Sequence, residues 1–193
     1  MVRFFLLLAA LCYALMAKAQ LDTIGVWRFG VSGLITINEV VSNTNTKPAL
    51  GAGIGLYAHF ETDECHNYYI SLARTANPFL IIPPGYENSI LIQRTYFTLL
   101  AERGTRLTPF FRLQYGVHLA LLSNIPKDNA YWAKMRPMDV GVNAALIYFS
   151  TEQISLGVRY KQGFLNLVDN YPGDRRINGL NSQLLAVFNF RLF

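Results

Sequence analysis

The residues of this sequence best suited to catalysis or metal binding are three histidines and two cysteines. Cys65 and His66 are adjacent, and both side-chain types bind zinc, but a zinc site needs two further ligands that this pair lacks. We therefore interpret Cys65 and His66 as part of a solvated turn. Acyl transfer at a membrane surface would need a histidine and a serine together on an outward, apolar face. His59 and His118 both fall on the polar face of their segments.

Short motifs of known catalytic and cofactor sites are missing from the sequence. It contains no GxSxG, HExxH or CxxC pattern and no phosphate-binding P-loop. We therefore expect a protein that is not an enzyme, with no catalytic residue, no cofactor and no metal ion. A lipid-modifying enzyme stays open as an alternative, and it would require a catalytic histidine and serine near one edge of the apolar face.

A larger group of polar residues alternates with apolar ones and is predicted to share an enclosed interior. Buried charges must be paired, so we expect Asp139 to balance one of the arginines. Because basic residues outnumber acidic ones here, the interior should be electropositive. The predicted interior residues are Arg28, Tyr57, His59, Arg112, Gln114, His118, Asp139, Asn143, Arg159, Lys161 and Gln183.

The elements that must position these side chains are strands with two different faces. Between Leu107 and Leu122 the odd positions are apolar, whereas the even positions include arginine, glutamine, glycine and histidine. Such period-two alternation predicts β-strands. The facing of 68–75 and 90–101, which includes Arg94, stays open. The predicted strands are 27–38, 50–60, 68–75, 90–101, 107–122, 138–148, 154–161 and 183–192.

The connections between these strands are alternately long and short. The long ones are 38–48, 77–89, 123–137 and 164–180, and the short ones are 61–66, 102–106 and 150–153. Long loops at one end and tight turns at the other are typical of outer-membrane barrels. The sequence therefore predicts an all-β fold, an eight-stranded antiparallel up-and-down transmembrane β-barrel. A soluble periplasmic ligand-binding barrel is the other alternative, and it would need an apolar cavity in place of the charged interior.

Composition agrees with a single membrane-associated domain. Of 193 residues only 15% are charged and 52% are hydrophobic, whereas typical soluble domains are roughly 25% charged. After Ala19 no run approaches the 18 apolar residues of a spanning helix. The net charge of +5 is scattered rather than clustered, so we expect no nucleic-acid partner.

The first 19 residues have the pattern of a cleaved signal peptide. Arg3 precedes an apolar stretch from Phe4 to Met16, and Ala17-Lys18-Ala19 fits a small-x-small cleavage site. We expect residues 1–19 to be removed and residues 20–193 to form the barrel domain. Cleavage would remove Cys12 and leave only Cys65, so the fold cannot depend on an intramolecular disulfide.

Four short stretches resemble the PorT-like outer-membrane β-barrel family of the Bacteroidetes: Phe29–Leu34, Gly51–Gly55, Met138–Gly141 and Leu156–Phe164. These motifs are structural, so the resemblance implies a barrel in the bacterial outer membrane and no particular biochemistry. The best-known family member serves gliding motility and protein secretion, and that role is not carried over. The terminal Phe193 also resembles the signal read by the barrel-assembly machinery, although Arg191 stands where an apolar residue is usual.

Function is therefore expected on the long connections, because rigid scaffolds display binding residues on loops. Exposed tyrosine, tryptophan and arginine often anchor interfaces. We expect a structural or interaction role, with outer-membrane lipid, lipopolysaccharide and the assembly machinery as partners and a protein partner as a further candidate. The candidate loop residues are Tyr131, Trp132, Lys134, Asp169, Asp174, Arg175 and Arg176.

Overall fold

The computed structural model describes residues 25–42, 46–62, 65–82, 90–124, 137–165 and 179–192. The regular structure of these residues is entirely β, and no helix among them is long and apolar enough to cross a membrane. The strands are β1 (Val26–Ser42), β2 (Thr46–Glu61), β3 (His66–Ala76), β4 (Phe79–Ile81), β5 (Ile90–Ile92), β6 (Thr95–Arg106), β7 (Phe111–Asn124), β8 (Met138–Phe149), β9 (Ile154–Gly163) and β10 (Gly179–Arg191).

Eight of these strands close into a barrel. Each pairs antiparallel with the next in the order β1, β2, β3, β6, β7, β8, β9, β10, and β10 pairs back onto β1. The eight-stranded antiparallel up-and-down barrel predicted from the sequence is confirmed. Following the paired residues once around the wall from Trp27 leads back to β1 at Ile37, ten residues further on. A stagger of this size goes with strands tilted by about 40° and a narrow interior.

The remaining two strands form a hairpin outside the barrel wall. β4 pairs with Thr46–Pro48 at the start of β2, and β5 pairs with β4. The predicted strand 90–101 is therefore wrong in its first part, because Ile90–Ile92 belongs to the hairpin and the barrel strand begins at Thr95. Arg94 lies between the two.

Two predicted connections are also wrong. β1 stays paired with β10 as far as Ser42 and β2 begins at Thr46, so three residues replace the long connection 38–48. The ladder continues there because the β4–β5 hairpin and the start of β10 supply partners. Residues 102–106, predicted as a turn, are the end of β6, and the turn lies at 107–110, which was predicted as the start of the next strand.

The two faces of the wall differ in polarity in the same way around the barrel. Outward side chains are apolar and exposed, such as Leu50 at 72% and Ile54 at 68%. Most inward side chains are polar and buried, with Thr36, Asn38 and Asp139 all at 0%. Apolar and aromatic side chains share the interior, among them Tyr69, Tyr96, Leu100 and a cluster of Leu34, Ala73, Leu185 and Val187. This arrangement is the reverse of a soluble barrel, whose exterior is polar.

Candidate functional site

The polar interior is the site that the sequence predicted, and the structure places all eleven predicted side chains on its inward positions. They are buried or half-buried, and they divide into a middle layer and two mouths. Within the described residues more basic than acidic groups face inward, as the sequence indicated.

An ion pair crosses the middle of the interior. Arg159 Nη2 donates to Glu102 Oε2 at 2.7 Å, and both side chains are at most 1% exposed. Asn143 donates to the other oxygen of Glu102, and Gln114 Oε1 accepts from Arg159 at 3.4 Å. The Arg159 guanidinium also lies 5.4 Å from the ring centre of Tyr69. These contacts join β3, β6, β7, β8 and β9 across the barrel, so the middle of the interior is filled.

The ion pair in the middle of the interior uses Glu102, and the expected pairing of Asp139 with an arginine is not found among the described residues. Asp139 accepts a hydrogen bond from Asn181 Nδ2 at 3.2 Å, and it makes no ion pair with a described residue. Glu102 takes the role instead. Glu102 is absent from the predicted interior residues because 102–106 was predicted as a turn, although its even spacing from Tyr96 and Thr98 was a usable signal.

The mouth on the side of the short turns carries a second, more solvated network. Glu61 contacts Arg28 at 3.1 Å and Arg112 at 2.6 Å, with side chains 17–28% exposed. Arg112 Nη1 lies 3.0 Å from His59 Nε2. A guanidinium can only donate, so this His59 nitrogen accepts and is not available as a general base. The Arg112 guanidinium also lies 4.6 Å from the ring centre of Phe149.

A small cavity opens at the same mouth. Tyr57, His59, Gln114, Ser155 and Arg191 are among its lining residues, and its volume is about 20 Å³. That is the space of about one water molecule, so the cavity does not accommodate an organic substrate.

Arg94 lies at the opposite mouth, where the β4–β5 hairpin adjoins the barrel. Its side chain is 1% exposed, its guanidinium lies 4.4 Å from the ring centre of Phe79, and Nη1 donates to the Tyr96 hydroxyl at 3.1 Å. Burial lowers the pKa of this guanidinium, and Tyr96 partly offsets the effect. Within the described residues, Arg94 Nε and Nη2 and the Asn77 amide make no hydrogen bond. Arg94 therefore faces neither lipid nor the middle of the lumen.

The predicted turn at Cys65 and His66 is held by its backbone. The Arg106 amide donates to the Cys65 carbonyl at 2.8 Å, and the Thr62 amide donates to the His66 carbonyl at 3.2 Å. In the described part of the chain no three histidine, cysteine or acidic side chains are grouped as a metal site. Outside the described residues lie the predicted signal peptide and the loop candidates Tyr131, Trp132, Lys134, Asp169, Asp174, Arg175 and Arg176.

Comparison with known proteins places the fold. No protein-family model matches the chain, and no curated protein sequence does either. Among solved structures, Ail, the attachment invasion locus protein of Yersinia pestis, is similar at 13% identity and a TM-score of 0.51, covering 86% of this chain and 97% of Ail. Ail in complex with the heparin analogue sucrose octasulfate gives a TM-score of 0.52 at 15% identity, over 86% and 99% of the two chains. Neisserial surface protein A gives 0.50 at 12% identity, over 87% and 99%.

Proposed function

We propose that this protein is a bacterial outer-membrane β-barrel with a structural or interaction role and no enzymatic activity. The observation that carries the proposal is the reversed polarity of the wall. Outward residues of β8 are apolar from Met138 to Tyr148, a span of ten residues. At about 3.3 Å per residue and a tilt of about 40°, this span covers about 25 Å along the barrel axis, the height of the apolar band of such barrels.

The filled interior supports a role at the surface rather than in transport. The buried pair of Glu102 and Arg159 occupies the middle of the lumen, and an eight-stranded barrel is just wide enough for side chains to fill. Binding then falls to the ends of the barrel. The similar structures agree with this role, since one is named for attachment and another for its place at the surface.

The finer parts of the proposal rest on the sequence. Residues 1–19 would direct export, and the barrel-assembly machinery would insert residues 20–193 with the long connections outside. Those connections, 125–136 and 166–178 in particular, are the proposed surface for a protein partner or for lipopolysaccharide. Membership of the PorT-like family stays a prediction.

Surface labelling of intact cells tests this placement. An epitope inserted between residues 130 and 131 should be detected by antibody on whole cells. The same epitope between Thr151 and Glu152, in a short turn, should be detected only after the cells are opened. Detection of both tags only in opened cells would contradict a surface role, and detection of the turn tag alone would reverse the orientation.

A further inference from the structure

Two arginines interrupt the apolar exterior on adjacent strands of the barrel. Arg74 on β3 and Arg103 on β6 are both exposed and both occupy outward positions. Neither guanidinium makes a hydrogen bond or an ion pair within the described residues. The other charged residue exposed on the outward face of the barrel strands, Glu39, lies on β1 close to the end that bears the long connections.

The position of Arg103 follows from the strand register. Arg103 pairs with Tyr68 on one side and with Tyr115 on the other, and both tyrosines are outward and nearly half exposed. Directly paired side chains have Cβ atoms about 5 Å apart, so two tyrosine side chains flank the Arg103 side chain. Tyrosines at this level, close to the short turns, are typical of the aromatic girdle at a membrane interface.

Arg74 lies further from the short turns than Arg103 and pairs with the exposed, outward Ile54 on β2. It is six residues beyond Tyr68 on β3, which corresponds to at most about 15 Å along the barrel axis at a tilt of about 40°. The height of the apolar band between the two arginines is thus about 10 Å less than the height of the apolar face of β8, which is about 25 Å. Only a few outward apolar side chains separate them, Leu72 among them, and Phe97 is the direct partner of Arg74 on β6.

We propose that this β3–β6 face binds the phosphate groups of membrane lipids, one beside Arg103 in the periplasmic leaflet and one beside Arg74 in the outer leaflet. Guanidinium groups bind phosphate through paired hydrogen bonds, and long basic side chains extend toward the headgroup level. A charged side chain left against hydrocarbon is costly, so drawing the two headgroups inward would thin the bilayer beside this face. The inference rests on the proposed outer-membrane location.

Lipid retention measured by native mass spectrometry tests the proposal. The refolded barrel is released from detergent after addition of phosphatidylglycerol, the probe lipid, and the number of retained lipids is counted. The wild type should retain two, Arg103→Gln and Arg74→Gln one each, and the double variant none. Arg103→Lys should keep its lipid because it keeps the charge.

Arg106→Gln is the matched control. Arg106 is exposed on the same strand but occupies an inward position at the barrel mouth, so its removal should leave retention unchanged. Equal loss in the Arg106 variant, or full retention in the double variant, would overturn the proposal. A dimer that disappears in the double variant, with no lipid retained, would assign the face to a second copy of the chain.

Faster migration of unboiled samples on gels is checked first for every variant, which separates misfolding from lost binding. If the wild type gives no faster-migrating unboiled band, the proposed outer-membrane barrel itself is wrong. If the wild type gives this band and the number of retained lipids is the same with and without the two arginines, only the lipid-phosphate sites are wrong.

Discussion

Replacing Glu102 with alanine is expected to lower the free energy of unfolding by about 3–5 kcal/mol, the usual cost of breaking a buried ion pair. Arg159 would stay fully buried without its carboxylate, and Asn143 would lose its acceptor. Gln114 accepts a hydrogen bond from Arg159 at 3.4 Å, but its amide is neutral and does not replace a charged partner. Urea unfolding of the protein refolded into phospholipid vesicles, followed by tryptophan fluorescence, measures this change.

Two further variants separate the pair from the carboxylate alone. The double variant Glu102→Gln with Arg159→Met removes both charges, so most of the lost stability should return. Glu61→Gln removes a carboxylate that is 23% exposed, and a solvated ion pair contributes only about 1 kcal/mol. If Glu102→Ala costs no more than Glu61→Gln, the middle layer does not hold the barrel together.

Placing an arginine at Val142 is expected to cost about 2–4 kcal/mol, because Val142 lies near the middle of the proposed lipid-facing band. Its side chain points outward from β8 and is 43% exposed. The same vesicle unfolding experiment measures the effect. A soluble barrel would tolerate the substitution, since water would solvate the new charge.

Met138→Arg on the same strand is the matched control. Met138 is outward and 40% exposed, like Val142, but it begins β8 at the edge of the band. Near the interface an arginine costs about 0–1 kcal/mol. Equal costs at both positions would contradict a membrane around β8.

Much of the wall could be predicted from the sequence because its alternation is strict on most strands. On β8, for example, every outward residue from Met138 to Tyr148 is apolar or aromatic, and the inward positions include Asp139 and Asn143. β3 and β6 were harder to orient. Their inward positions include Tyr69, Tyr96 and Leu100, and their outward positions include arginine, so both faces mix apolar and polar residues.

The ends of the strands could not be predicted for a different reason. Alternation of apolar and polar residues indicates which side chains face the interior and which face outward. Where strands stay paired beyond the apolar band, their sequences need not alternate, so the pairing there cannot be recognised from the sequence. β1 continues past Asn38 because β10 supplies backbone partners there. β2 begins before Ala49 because β4 supplies partners for its first residues. The burial of Arg94 could not be predicted for the same reason, since it depends on Phe79 of the hairpin.

The pairing inside the lumen shows the limit most clearly. Alternation predicts an inward position for Asp139, whereas Glu102 was predicted to lie in a turn, and local sequence does not say which arginine either carboxylate meets across the barrel. Arg159 contacts Glu102 at a sequence separation of 57 residues, which only the closed wall determines. The closeness of the outward Arg74 and Arg103 likewise follows only from the pairing of β3 with β6.

The most direct test of the proposed outer-membrane barrel is the location and gel mobility of the native protein. Cells are separated into soluble, inner-membrane and outer-membrane fractions, and each fraction is run on a gel with and without boiling. We expect the protein to be confined to the outer-membrane fraction, with an unboiled band that migrates faster than the boiled one. A soluble periplasmic protein whose band does not shift would contradict the outer-membrane barrel, since the apolar face would then have to lie against protein rather than lipid.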